Sequence, residues 1–161
     1  MKRLPILFLA GVLMLCACDQ KGQVPKSESD FVMRLKRAQD TVTIFEHQQE
    51  LKNRIITNMS KYVANNMSFS DWSFRVEKMS DSELGLKVPA PKDTTGYNVR
   101  FVLPLGGDAK LKEALAKVKE GDFIKVDGEI DMKTADGKVS MNDYFLTDSA
   151  RFIKLSAKVI K

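Results

Sequence analysis

The two cysteines of this 161-residue chain, Cys16 and Cys18, are separated by one residue at the end of an apolar run. Thiols this close in sequence indicate one of three things: a redox pair, half of a metal site, or a modification unrelated to folding. A structural zinc site of the usual kind needs four Cys or His ligands, and His47 is the only histidine in the chain. The surrounding sequence must therefore decide what the cysteines do.

The residues before the cysteines have the pattern of a secretory signal. Met1-Lys-Arg provides a positive start, and residues 4–15 are apolar except for Pro5 and Gly11. A charged start followed by a short apolar run is typical of such signals. The run is too short for a membrane-spanning helix, which needs about 20 residues. The abrupt polar switch at Asp19 argues against the alternative, a buried N-terminal helix of the domain.

The stretch Leu15-Cys16-Ala17-Cys18 resembles the lipobox of bacterial lipoproteins, in which a leucine and two small residues precede the modified cysteine. The resemblance implies a signal peptide at 1–17, acylation of Cys18 and anchoring to membrane lipid. Cys16 departs from the pattern only in that Ala, Ser or Gly is commoner there. Asp19 resembles the retention signal of enterobacterial lipoproteins, which implies the periplasmic face and favours the inner membrane over the outer. The mature chain would then contain no free thiol and no disulfide.

The charge of the chain is spread evenly along its length. The net charge is +5, and removal of Lys2 and Arg3 with the signal leaves 24 basic and 21 acidic residues, or +3. From Met67 onward the chain has 16 basic and 15 acidic residues. A nucleic-acid-binding domain normally concentrates basic residues on its folded part. Charge and periplasmic location together predict that the chain does not bind nucleic acid.

Catalytic and metal-binding patterns are missing from the sequence. His47 lies in a predicted helix without a nucleophile or an orienting partner, so we interpret it as an exposed helix histidine. Asp127, Glu129 and Asp131 alternate along a predicted strand, which could indicate a calcium or acid–base cluster. The same spacing describes the solvated face of an amphipathic strand, which we favour. We expect no cofactor, no metal and no enzymatic activity; a hydrolase with an unmarked acidic pair is the weaker alternative.

Apolar residues at helical spacing follow a short polar segment, 18–27, that we interpret as the lipidated cysteine and its tether. Ser27-x-x-Asp30 is typical of a capping box at the start of a helix. Two apolar stripes with a phase shift near Gln48-Gln49 predict one bent helix, or two consecutive helices, over 28–66. We expect these helices to pack on their own domain; a coiled-coil partner is the alternative.

Alternating apolar residues predict strands after Met67. The predicted elements are strands at 69–79, 84–88 and 97–103, a helix at 109–119, a strand at 124–132 and an extended region at 139–155. Asp108 is expected to cap the helix, and Gly121 to follow its last turn. The inward register of the strands assigns four aromatic residues to the core: Trp72, Phe74, Tyr97 and Phe101.

Five strands with a helix between the third and fourth are the arrangement of the oligonucleotide/oligosaccharide-binding (OB) barrel. Residues 115–130 also resemble the helix, Gly-Asp, strand, Gly passage of OB-like domains, with Gly121-Asp122 and Gly128 at its positions. The resemblance implies an α+β fold, with a helical segment followed by an OB-like barrel at 67–161. A β-sandwich is the alternative, but it would leave the helix at 109–119 unexplained.

In OB barrels the second and third strands usually hold the ligand. The outward residues predicted there are Gly85, Lys87, Asn98, Arg100 and Val102, of which Lys87, Asn98 and Arg100 are the candidate ligand contacts. Two cations without an outward aromatic ring are unsuited to single-stranded nucleic acid. We therefore expect a non-enzymatic, membrane-anchored periplasmic module that contacts an envelope protein. The alternatives are a binder of an anionic small or polymeric ligand and a phage or plasmid exclusion-type lipoprotein.

Overall fold

The structure, a computed structural model, describes residues 24–89, 99–146 and 151–161. Its helices and strands are α1 (Lys26–Ile44), α2 (Gln49–Asn65), β1 (Ser68–Met79), β2 (Glu83–Lys87), β3 (Arg100–Pro104), α3 (Ala109–Leu115), β4 (Phe123–Ile130), α4 (Asn142–Leu146) and β5 (Phe152–Ile160). This order confirms the predicted α+β fold class. Within these ranges, no helix combines the length and the apolar character needed to cross a membrane.

The strands close into a barrel in the order β1-β2-β3-β5-β4, with β4 pairing back to β1. All pairs are antiparallel except β3 with β5. The short α3 lies between β3 and β4, so the OB-like arrangement is confirmed and the β-sandwich is excluded. Trp72, Phe74 and Phe101 are buried in the barrel as predicted. The fourth predicted core aromatic, Tyr97, lies outside the described residues.

The two N-terminal helices pack on the barrel core. The Phe31 ring of α1 lies 5.4 Å from the Trp72 ring and 6.4 Å from the Phe101 ring, measured between centroids. Met59 and Val63 of α2 are buried in the same core. The prediction that the helices pack on their own domain is therefore confirmed. The chain leaves the helical conformation at residues 45–48, which confirms the two-helix alternative.

Polar side chains in the first turn of α1 join the helix to β1. Ser27 lies inside the helix and makes no capping hydrogen bond, so the predicted capping box is wrong. Its hydroxyl accepts a hydrogen bond from Trp72 Nε1 at 3.1 Å. The neighbouring Glu28 is fully buried, and its Oε2 accepts a hydrogen bond from the Ser73 backbone N–H at 2.8 Å. Burial raises the pKa of Glu28 to about 8, although the hydrogen bond from Ser73 opposes this shift.

The region predicted as one extended segment, 139–155, instead contains α4. Tyr144 and Phe145 are adjacent in sequence and both buried, which a strand with one buried face does not allow. The Tyr144 hydroxyl donates a hydrogen bond to Gln39 Oε1 of α1 at 3.4 Å. Both residues belong to the hydrophobic core, and β5 follows the helix and extends to residue 160.

α3 is shorter than the helix predicted at 109–119. Asp108 caps it as expected, because its carboxylate accepts hydrogen bonds from two backbone N–H groups of the first turn, at 2.9 and 3.2 Å. α3 ends at Leu115, so the prediction that Gly121 follows its last turn is wrong. Gly121 has a φ of 93° and lies in a separate turn that the Asp122 carboxylate stabilises by accepting a hydrogen bond from a backbone N–H at 2.8 Å. This turn places Phe123 at the start of β4.

Gly128 of β4 lies close against the backbone of β5. The β4–β5 register shifts between Asp127 and Gly128. A Cβ atom added to Gly128 would lie 2.2 Å from the backbone oxygen of Ser156 and 3.2 Å from the Phe69 ring. Any side chain at this position would clash with the β5 backbone, in agreement with the predicted role of Gly128 in the coiling of the strand.

Candidate ligand-binding groove

A groove of about 1020 Å³ runs over the outer face of β1, β2 and β3 and reaches the first residues of β4 and β5. Four cations line it: Arg75, Lys78, Lys87 and Arg100. Its lining also includes two carboxylates, Glu77 and Glu83, and two phenyl rings, Phe123 and Phe152. The lining therefore combines an excess of positive charge with aromatic surface.

Five lining residues, one from each strand, stand side by side around the barrel. Phe123 of β4 pairs with Arg75 of β1, which in turn pairs with Lys87 of β2. Lys87 pairs with Arg100 of β3, and Arg100 pairs with Phe152 of β5. Directly opposed residues point to the same face of a sheet. We call these five residues the cross-strand row; its four inter-strand steps extend over about 19 Å of the curved surface.

The centre of the cross-strand row places like charges next to each other. Directly opposed like charges destabilise a sheet, whereas favourable cross-strand pairs contribute roughly 0.2–1 kcal/mol. The Glu77 carboxylate lies 3.4 Å from Lys87 Nζ and offsets part of the repulsion. Neither Arg75 nor Arg100 has an ion-pair partner among the described residues. Both guanidinium groups can therefore bind an external anion.

Exposed phenyl rings form both ends of the row. Phe123 is 46% exposed and Phe152 is 36% exposed, which makes them two of the few exposed large apolar side chains of the described chain. Each is the first residue of its strand and points outward because the next residue, Ile124 or Ile153, is buried. Along the row, one aromatic ring is followed by three cations and then by a second aromatic ring. Such a combination is typical of an interaction surface.

Two of the three candidate ligand contacts meet in the row, because Lys87 and Arg100 are direct register partners. The third, Asn98, lies outside the described residues, as do Cys18 and Asp19. The expectation of a face without aromatic rings holds for β2 and β3 but not for the groove, since the rings come from β4 and β5.

The acidic residues of β4 have structural partners. Asp127 accepts a hydrogen bond at 2.7 Å from the backbone N–H of Asp71, a residue with a left-handed φ of 54°, and lies 2.9 Å from Lys161 Nζ. The Asp71 N–H and, after it, the Lys161 ammonium lower the pKa of Asp127 to about 2. Glu129 forms an ion pair at 2.6 Å with a β5 lysine. These partners agree with the predicted solvated strand face, and the described residues contain no group of three potential metal ligands.

His47 is exposed, as predicted, but lies in the turn between α1 and α2 and not within a helix.

No family model, curated protein or solved structure matches the chain. The groove must therefore be interpreted from its own chemistry. Arginine guanidinium groups bind carboxylate and phosphate oxygens in a bidentate manner, and exposed phenyl rings cover apolar or planar groups. The arrangement is suited to binding an anionic ligand.

Proposed function

We propose that the protein is a lipid-anchored lipoprotein of the bacterial cell envelope, whose barrel is a non-enzymatic binding module. The groove binds anionic groups of an envelope partner. The single observation that carries this proposal is the cross-strand row, in which Arg75, Lys87 and Arg100 are adjacent and Phe123 and Phe152 flank them.

The row does not stabilise the free protein. Adjacent cations repel each other, and exposed phenyl rings leave apolar surface in water. Natural sequences break such local rules mainly at functional sites. A bound anion would neutralise the three cations, and contact with the two rings would remove their apolar surface from water. Both effects favour a bound state over the free one.

The expected anchor holds the start of α1 close to the membrane. Residues 19–25 separate Cys18 from the first residue of α1. An extended chain rises at most about 3.6 Å per residue, so the start of α1 lies within about 30 Å of an acylated Cys18. The lipobox-like motif, with Asp19 after the cysteine, supports the periplasmic face of the inner membrane. A component of the envelope is therefore the partner we expect.

Crosslinking in intact cells tests this function. The row-neutral variant carries Arg75→Gln, Lys87→Gln and Arg100→Gln. Wild-type protein should carry a palmitate label, fractionate with membranes and form a defined crosslinked species. Cys18→Ala should lose the label, whereas the row-neutral variant should keep the label and lose the crosslinked species.

A matched control separates loss of the site from loss of net charge. Arg54, Lys110 and Lys117 are exposed and lie outside the groove. Their replacement by glutamine changes the net charge by the same amount and should leave crosslinking intact. A row-neutral variant that crosslinks like the wild type would refute the groove as the binding site. A palmitate label that persists in Cys18→Ala would refute the anchor.

A further inference from the structure

We propose that the occupant of the groove is a short acidic peptide segment of an envelope protein, with an apolar side chain at each end of its acidic stretch. This inference rests on the proposed function and names the partner of the same groove. It follows from the length of the cross-strand row, from the carboxylates beside it and from the closure of the barrel.

The length of the row indicates a polymeric ligand. Arg75, Lys87 and Arg100 belong to three neighbouring strands, so their backbones cover about 10 Å. Three cations spread over this width can each meet a separate anionic group, which a ligand with several such groups supplies. The whole row, with Phe123 and Phe152, covers about 19 Å, which corresponds to about six residues of an extended peptide at 3.3 Å per residue.

Carboxylates beside the row favour a peptide over a uniform polyanion. Glu77 and Glu83 line the same groove as the cations, and Glu77 is held next to Lys87. A strand of nucleic acid carries a negative charge on every nucleotide and would bring phosphates against these glutamates. A peptide can place its carboxylates on the row and present backbone N–H donors to the glutamates.

Closure of the barrel determines how such a peptide is recognised. Within the described ranges Arg75, Lys87 and Arg100 each have a register partner on both sides, so the centre of the row offers no free strand edge for the addition of a peptide strand. Recognition must therefore use side chains. The two guanidinium groups fit peptide carboxylates in bidentate geometry, and Phe123 and Phe152 can each cover an apolar side chain.

Fluorescence anisotropy with the full-length protein in detergent tests this inference. The probe is a labelled Phe-Glu-Asp-Glu-Asp-Phe peptide, with matched peptides that carry lysine in place of the acids or alanine in place of the phenylalanines. An oligothymidylate of about eight nucleotides represents single-stranded nucleic acid. The acidic probe should bind most tightly, the alanine peptide about tenfold more weakly, and the lysine peptide not at all.

Two variants make the test specific to the groove. The row-neutral variant should bind the acidic probe at least about a hundredfold more weakly, because it loses several charge-assisted hydrogen bonds. The double variant Phe123→Ala/Phe152→Ala keeps all three cations and should bind the phenylalanine and alanine peptides equally. Circular dichroism checks that both variants are folded, and the Arg54, Lys110 and Lys117 control should bind like the wild type.

The contrary outcomes separate the inference from the proposed function. If the oligothymidylate binds more tightly than the acidic probe and the row-neutral variant does not bind it, the ligand is not an acidic peptide, and the groove remains the binding site. The peptide is also wrong if the wild type does not bind the acidic probe. If the row-neutral variant binds the acidic probe as tightly as the wild type does, both the acidic-peptide ligand and the groove as binding site are refuted.

Discussion

Replacing Glu28 with glutamine should stabilise the protein at neutral and alkaline pH. The side chain is fully buried, its Oε2 accepts a hydrogen bond from the Ser73 N–H, and its Oε1 has no hydrogen-bond partner among the residues that the structure describes. Burial raises its pKa from the ordinary value of 4.5 to about 8. The carboxyl is therefore protonated in the folded protein at neutral pH but ionised in the unfolded chain. Glutamine has the shape of the protonated form, keeps an acceptor for Ser73 and cannot ionise.

The raised pKa fixes the sign and the size of the effect. A carboxyl whose pKa is higher in the folded state contributes stability that is fully present below the unfolded pKa and is lost as pH rises through the folded pKa. For Glu28 this window extends from 4.5 to about 8. Each pH unit in the window costs about 1.4 kcal/mol, so the loss reaches about 3 kcal/mol near pH 7 and about 5 kcal/mol above the window.

Urea unfolding at several pH values measures this effect directly. The free energy of unfolding of the wild type should fall between about pH 5 and pH 8, whereas that of Glu28→Gln should fall much less. The two proteins should have similar free energies of unfolding near pH 5, and the difference between them should grow as pH rises. Glu113→Gln removes an exposed carboxylate of α3 and is the matched control. Parallel pH profiles for wild type and Glu28→Gln would show that the buried carboxyl does not control stability.

The barrel and its groove give three further predictions. Gly128→Ala should lower the free energy of unfolding by about 1–3 kcal/mol, because its Cβ would lie 2.2 Å from a backbone oxygen of β5. Gly107→Ala should have little effect, because its added Cβ would meet no atom of the described residues within 4 Å. Arg100→Gln should raise the melting temperature by relieving repulsion in the row, and the gain should shrink in high salt. Asp127→Asn should lower the free energy of unfolding at neutral pH. The difference from the wild type should disappear as pH falls from 3.8, the ordinary pKa of aspartate, through about 2, the pKa of Asp127 in the folded protein. Overlapping unfolding curves of the two proteins at neutral pH would contradict this.

The barrel was predictable because each strand buries one face. The alternation of apolar residues in β1 and β4 therefore fixed both the type and the position of these elements. The burial of Glu28 was not predictable, since an acidic residue in the first turn of a helix is normally favoured by the helix dipole at the surface. Only the packing of α1 on β1 shows why it is buried. α4 was also missed, because a helix of five residues is too short to show a helical period in the sequence.

The candidate site was predictable only in part. Alternation places Lys87 and Arg100 outward, and the same reasoning applied to β4 and β5 would have placed Phe123 and Phe152 outward. Their alignment in one row depends on pairing register, which the sequence pattern does not provide. A register shift in the β1–β2 pair, just after Arg75, and the parallel pairing of β3 with β5 both contribute to this alignment.

The central claim is that the cross-strand row acts as one binding site for anionic groups. Backbone amide NMR shifts of the full-length protein, recorded during titration with the Phe-Glu-Asp-Glu-Asp-Phe peptide, test it most directly. The amides of Phe123, Arg75, Lys87, Arg100 and Phe152 should shift together with one affinity, while those of α2 should not move. Shifts confined to other parts of the surface, or row residues that respond with different affinities, would contradict the claim.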